Sequence, residues 1–254
     1  MHWESEAAPA DPILRVEGLT MAFGDTVVQR NIDFAVPRGQ VFAIIGGSGC
    51  GKSTLLRHLV GLEEPAAGSI HRMGSAGASP RAGVMFQHGA LWSSMTLAQN
   101  IEAALAFDKR MEADAARELA RYKLALVGLE AHADYFPAAI SGGMRKRAAI
   151  ARALALDPEL LYLDEPSAGL DPLSAESLDA LLLQLRATLG TTIVIVTHEL
   201  HSIHAIVDQA LYLDADRHEP AALGSPRWLS GRCPDDTVRR FMNRGADTPR
   251  QERA

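Results

Sequence analysis

The nine residues Gly46-Gly47-Ser48-Gly49-Cys50-Gly51-Lys52-Ser53-Thr54 bring backbone freedom, one cation and hydroxyl groups into one short stretch of chain. Glycines at 46 and 51 followed by Lys-Ser satisfy the phosphate-loop spacing, and the chemistry of that spacing is anion capture. Backbone N–H groups wrap a β-phosphate, and a helix starting at Lys52 adds its partial positive charge. Lys52 offers a point charge to the β and γ oxygens, and the Ser53 hydroxyl is suited to ligate Mg²⁺. The bland alternative is a glycine-rich turn with a chance lysine. The complete pattern, set between an apolar run and a helical one, argues against it.

Other polar residues stand at chemically useful places. Asp164 and Glu165 close the apolar run Leu160-Leu161-Tyr162-Leu163, where Asp164 is placed to hold Mg²⁺ through water and Glu165 to polarise an attacking water. A helix-capping acid cluster is the competing reading, and Pro166 together with the preceding strand counts against it. Ser141-Gly142-Gly143 opens an alanine-rich segment, so Ser141 suits a helix cap and the exposed N–H groups make a second anion site. His198-Glu199-Leu200-His201-Ser202-Ile203-His204 invites a zinc reading, but that needs histidines four apart, whereas these are three and three apart. His201 and His204 therefore read as ordinary helix-face residues, and Arg145-Lys146-Arg147 as a solvated basic face.

The elements that position these groups are legible from hydrophobic pattern. Residues 13–23 and 27–36, parted by Gly24-Asp25, read as antiparallel strands. The runs at 41–45, 83–86, 160–163 and 192–196 lack alternation, as strands buried on both faces of a parallel sheet should. Each is followed by a useful group: the phosphate loop, Gln87, Asp164 with Glu165, and Thr197 with His198. Ligands of open α/β sheets bind beyond the carboxyl ends of the strands, so these groups are expected at one sheet edge. Helices are expected over 52–60, 111–127, 142–156 and 174–189. Residues 97–155 are almost purely helical and read as a helical subdomain inserted into an α/β domain spanning 13–243. Residues 1–12 and 244–254 read as frayed tails, and 216–226 as unlike a regular strand pair.

Composition narrows the classes of partner. Among 254 residues, 25 basic against 31 acidic side chains give a formal charge of −6, which attracts neither nucleic acid nor anionic lipid. No apolar run approaches the roughly 18 to 20 residues of a spanning helix, and the N-terminus lacks the pattern of a secretory signal, so a cytoplasmic location is expected. Two cysteines, Cys50 and Cys233, form no disulfide framework.

The phosphate loop, Ser141-Gly142-Gly143-Met144-Arg145 and Leu160-Leu161-Tyr162-Leu163-Asp164-Glu165-Pro166, in this order, resemble the ATP-binding cassette (ABC) ATPases over roughly residues 14–214. The resemblance implies a P-loop NTPase, RecA-like core with an antiparallel β subdomain and an inserted helical subdomain, using ATP and Mg²⁺. It makes Glu165 the catalytic carboxylate and His198 the γ-phosphate contact. Phe23 matches the aromatic position that stacks on adenine, with core packing as the alternative. Gln87 matches the glutamine that touches Mg²⁺ and reports on the membrane partner, and Asp171 lies in the loop that crosses a dimer interface. The Ser141-Gly142-Gly143 site would meet the phosphate loop of a second copy, sandwiching two ATP molecules in a head-to-tail homodimer.

Within the family, Met144 and the words Phe86-Gln87-His88-Gly89-Ala90-Leu91-Trp92 and Met95-Thr96-Leu97 resemble the Mla-type ATPases. Those work with MCE-protein systems that move phospholipid between two bacterial membranes. The implied partners are integral-membrane permease subunits docking near Gln87 to Asn100, with MCE-domain and small accessory proteins, at the cytoplasmic face of the inner membrane. Val238-Arg239-Arg240-Phe241-Met242 resembles the C-terminal helix that reaches to the other ATPase subunit, although the same spacing suits a helix packed on its own domain. An ATPase of another importer, such as one for amino acids, is the main rival. A DNA-repair ATPase would need a long heptad-bearing insertion between Gly51 and Ser141, and a ribosome-acting protein two tandem cassettes; neither is found.

Overall fold

The computed structural model describes residues 2–3, 11–74, 78–87, 91–108 and 111–244. Its centre is a seven-stranded sheet ordered β1-β10-β9-β4-β8-β7-β6, made of β1 (His2–Trp3), β4 (Val41–Gly46), β6 (Ala82–Met85), β7 (Leu160–Asp164), β8 (Thr192–Val196), β9 (Gln209–Asp214) and β10 (Glu219–Gly224). Strands β9, β4, β8, β7 and β6 run parallel, and β10 turns back antiparallel on β9. A smaller antiparallel sheet, ordered β3-β2-β5, contains β2 (Pro12–Phe23), β3 (Thr26–Pro37) and β5 (Ala67–Arg72).

The unalternating runs have their expected cause. Every residue of β4, β7 and β8 is buried, because each face of the large sheet is covered. Val41, Ala43 and Ile45 face one core with Leu161, Leu163, Ile193 and Ile195, while Phe42 and Ile44 face the other with Tyr162, Val194 and Val196. On the second face, Leu55, Leu56 and Leu59 of α1 (Lys52–Val60) pack with Ile13, Leu14 and Ile32 of the small sheet. Phe34 stacks on Phe42 with ring centroids 5.1 Å apart, joining the two sheets. Burial of each such side chain contributes about 1.5–3 kcal/mol.

The helical insertion consists of α2 (Leu97–Leu105), α3 (Ala113–Leu126), short 3-10 turns at Glu130–His132 and Pro137–Ala139, and α4 (Gly142–Ala153). Thr96 and Gln99 form a reciprocal capping box at the start of α2. Helices α5 (Pro172–Leu189), α6 (Leu200–Ile206), α7 (Pro226–Gly231) and α8 (Asp236–Met242) complete the chain. α5 starts two residues before its expected boundary because the Asp171 carboxylate caps it and Pro172 suits a first turn.

Several expectations are corrected. Residues 1–12 are not uniformly a frayed tail: His2 and Trp3 pair with Ala222 and Leu223 of β10, and Pro12 begins β2. Of the expected tail over residues 244–254, Arg244 is instead seated over the Phe241 ring, and residues 245–254 lie outside the described residues. The 216–226 stretch, read as unlike a strand pair, supplies β10, whose alanines and Pro220 are tolerated because the register with β9 shifts between Pro220 and Ala222. β5 carried no clear strand pattern, since it is a half-exposed edge strand paired only with β2.

Gly83 shows how tightly α4 lies on the sheet. A Cβ there would stand 2.1 Å from the Ala153 carbonyl oxygen, so the helix end rests on bare backbone. Gly83→Ala is expected to lower stability by about 1–3 kcal/mol, the cost of overpacking, read as a lower urea midpoint. An unchanged midpoint would show that α4 is not held against β6 as described.

Candidate active site

The phosphate loop begins where β4 passes against β9. Gly46 has φ 145°, and a Cβ on it would lie 2.4 Å from the Leu213 carbonyl oxygen, so only glycine fits. At the loop's far end Gly51 has φ 94°, and a Cβ would stand 2.7 Å from Val28 of the small sheet. No side chain caps α1, which leaves its first N–H groups available to an anion. Lys52 Nζ donates to the carbonyls of Gly46 and Gly47 at 3.1 and 2.8 Å, lying back across the loop it would help to fill. Cys50 is a free thiol pushed up by burial, as is Cys233.

Gln29 is a contributor that sequence reasoning missed. Fully buried in β3, its Nε2 donates to the carbonyls of Cys50 and Asp214 at 3.0 and 2.8 Å, bracing the loop from the small sheet. An amide in the interior of an amphipathic strand was the only signal available.

At the end of β7 the Ser53 hydroxyl donates to Asp164 Oδ1 at 3.2 Å. Burial pushes the Asp164 carboxyl up from its ordinary range, with the Ser53 bond opposing the shift. Glu165 follows in the left-handed region at φ 50°, a conformation that costs a non-glycine residue about 1 kcal/mol or more. Its N–H donates to the Val196 carbonyl at 2.8 Å, tying the turn to β8. One carboxylate oxygen, Oε1, is 2.7 Å from His198 Nδ1; the other, Oε2, is buried and has no partner among the described residues. The phosphate loop, Gln87, Glu165 and His198 share one cleft of about 720 Å³.

The solvated basic face expected at Arg145-Lys146-Arg147 is corrected at Lys146, while Arg145 stays exposed. Lys146 Nζ donates to the carbonyls of Gln87 and Glu165 at 2.9 and 3.1 Å, Arg145 to the Ile140 carbonyl, and Arg147 to the Ser177 hydroxyl. Burial pulls the Lys146 ammonium down, while the Glu165 and Asp164 carboxylates oppose that shift. Lys146 thus joins α4 to two strand ends. Asn100, also unanticipated, is fully buried and bonds backbone groups of Trp92, Met95 and Thr96, pinning the chain that precedes α2. Of the 86–92 word, residues 88–90 lie outside the described residues.

Ser141 caps α4 by accepting from the Met144 N–H at 3.2 Å, as expected. Ser141, Gly142 and Gly143 do not line the phosphate-loop cleft; Ser141 and Gly143 lie beside Leu170 and Ser174 instead. Asp171 accepts from the Ser174 N–H and hydroxyl at 3.0 and 2.6 Å, and these bonds hold its carboxyl below the usual range. Phe23 is 55% exposed at the end of β2, so core packing does not account for it. Of the two readings of the 238–242 helix, the described residues show the apolar side chains packed on their own domain. Val238, Phe241 and Met242 are buried on their own domain, with Phe241 meeting the Tyr212 ring edge-on.

A phosphate loop after β4, an acidic pair at the end of β7 and a serine-capped helix of the helical insertion define an ATP-binding cassette domain. Residues 29–168 match the family model described as "ABC transporter", and the chain belongs to that family of ATP-hydrolysing domains. It is 38% identical over 249 residues to the methionine import ATP-binding protein MetN of Brucella abortus, covering 94% of this chain and 66% of that protein, just under two thirds of its length. It is 36% identical to the probable ribonucleotide transport ATP-binding protein mkl of Mycobacterium tuberculosis, covering 94% of this chain and 68% of the relative. Among solved structures, cbiO1 of Clostridium perfringens, part of the ABC transporter complex cbiONQ, is similar with TM-score 0.76 and 30% identity over 88% of this chain and 96% of its own. The ATP-binding cassette MJ0796, in a dimeric post-hydrolysis state with ADP and Pi, gives TM-score 0.73 and 27% identity, covering 84% of this chain and 98% of its own.

Removing the Lys146 bridge while keeping its stem should loosen Glu165 without touching the phosphate loop. Lys146→Met is expected to lower ATP turnover about tenfold and leave ATP affinity within about threefold, since small misplacements of reacting groups are costly. Equal losses in both, measured by steady-state kinetics and calorimetry, would contradict that role.

Proposed function

We propose that this protein is the ATP-hydrolysing subunit of a membrane ABC transporter. The observation that carries the proposal is Glu165: one oxygen engaged by His198 and the other buried beside the phosphate loop with no partner among the described residues. Lys52, Ser53 and the loop N–H groups hold the triphosphate, and Phe23, exposed at the end of β2, stacks on adenine. Glu165 takes a proton from water as its oxygen attacks the γ-phosphorus, the bond to the β-bridging oxygen breaks, and ADP leaves. His198 orients the carboxylate and the γ-phosphoryl group. Ser53 and Asp164, two oxygen donors already 3.2 Å apart, with Gln87 on the same cleft, fit a hard divalent cation. Mg²⁺ held there would neutralise charge on the β and γ oxygens.

The second anion site at Ser141-Gly142-Gly143 lies off the cleft, which supports a head-to-tail homodimer in which each copy completes the other's site. The Asp171 loop packs beside that helix tip, as an interface loop would. Among the described residues no helix is long and apolar enough to cross a membrane. Coupling to cargo runs through integral-membrane permease subunits. They dock near Gln87 to Asn100, on the loop pinned by Asn100, and hold the protein peripherally at the cytoplasmic face of the inner membrane.

For cargo, the words around Gln87 and Met144 support phospholipid movement with MCE-domain and accessory proteins of the Mla type. The likeness to methionine import proteins favours a second reading, amino-acid import. Lipid and amino-acid analysis of the purified permease complex separates them: bound phospholipid supports the first, and lipid-free complex with methionine-stimulated ATPase activity the second.

Glu165→Gln should keep ATP affinity and slow hydrolysis by about 10²- to 10⁴-fold, the range of a general base. Unchanged turnover would remove Glu165 from that role.

A further inference from the structure

The far end of the chain brings another cation to the phosphate-loop cleft. α8 is held from two sides: Phe241 meets Tyr212 of β9 with centroids 5.2 Å apart, and His204 Nε2 of α6 lies 3.2 Å from the Met242 carbonyl oxygen. This anchoring carries Phe241 and Arg244 to the wall of the same cleft that the phosphate loop, Glu165 and His198 line. The Arg244 guanidinium sits over the Phe241 ring, 5.3 Å from its centroid. Such ring contact orients the group at little cost, and its forked N–H donors match the oxygens of a phosphate.

The neighbours of Arg244 decide which part of a nucleotide it meets. Those cleft residues are the phosphate-handling ones, whereas Phe23 is not part of the lining among the described residues. Within that lining Lys52 is the other permanent cation and Glu165 the carboxylate, so a polyanionic ligand gains from a second positive charge.

We propose that Arg244 contacts the triphosphate of the nucleotide bound in its own chain, so that the C-terminal helix supplies in cis a second cation beside Lys52. The assignment rests on the reading of this cleft as an ATP site. It makes the seating of α8 a determinant of nucleotide affinity, and gives the late segment a task independent of cargo.

The test uses the full chain, with Mg-ATP binding followed by titration calorimetry and the melting temperature measured without nucleotide. Arg244→Ala and Arg244→Met should each weaken ATP binding by about 5- to 50-fold, the range for a lost charge-assisted contact. Arg244→Lys should recover to within about fivefold, with nucleotide-free melting temperatures of all variants within about 2 °C of the parent. Unchanged affinity in Arg244→Ala would overturn the proposal. So would parental affinity in Arg244→Met, which keeps the apolar stem over Phe241, or losses that track falling melting temperatures, because both assign Arg244 to helix packing. If the unmodified chain itself binds no ATP, the nucleotide reading fails first and this assignment with it.

Discussion

The approach of β4 to β9 at Gly46 is the constraint on which the remaining geometry depends. A strand with a side chain at that point would be pushed off the Leu213 carbonyl, 2.4 Å from a Cβ. Without one, the chain turns directly from buried strand into phosphate loop and then into α1. Parallel pairing of β4, β8, β7 and β6 then presents their carboxyl ends along one edge. The register of β7 with β8 and of β8 with β4 brings Ser53 to Asp164 and Glu165 to His198.

The phosphate loop, Glu165 and His198 converge in one cleft, while the serine-capped tip of α4 lies off it beside Leu170 and Ser174. The same helix is nevertheless wired to the chemistry, since Lys146 holds the carbonyls of Gln87 and Glu165. A force applied to the helical insertion would therefore reach the Glu165 backbone through the charge-assisted Lys146 bond. Such wiring suits an engine whose hydrolysis must depend on what its membrane partner does.

Much of this was legible in the sequence because it rests on local pattern. Doubly buried strands betray themselves by missing alternation, and each polar group that ends one is read off directly. The helical insertion followed from the almost purely helical character of residues 97–155 beside flanks that alternate strand and helix. What escaped were features decided by tertiary partners. Gln29 and Lys146 bond to backbone carbonyls, which no residue pattern announces. β10 was hidden by a proline and a register shift and His2–Trp3 by its shortness, while α8 was read as a helix whose packing surface stayed open because its spacing fits its own domain and a partner equally well.

The account stands on hydrolysis being assembled between two chains. It is tested most directly by ATPase activity per chain across a dilution series of the purified protein, with its mass in solution followed at each concentration. The per-chain rate should fall toward zero as the dimer dissociates and return when it is reconcentrated. A chain that remains monomeric throughout turnover and cleaves ATP at an undiminished per-chain rate would contradict the account.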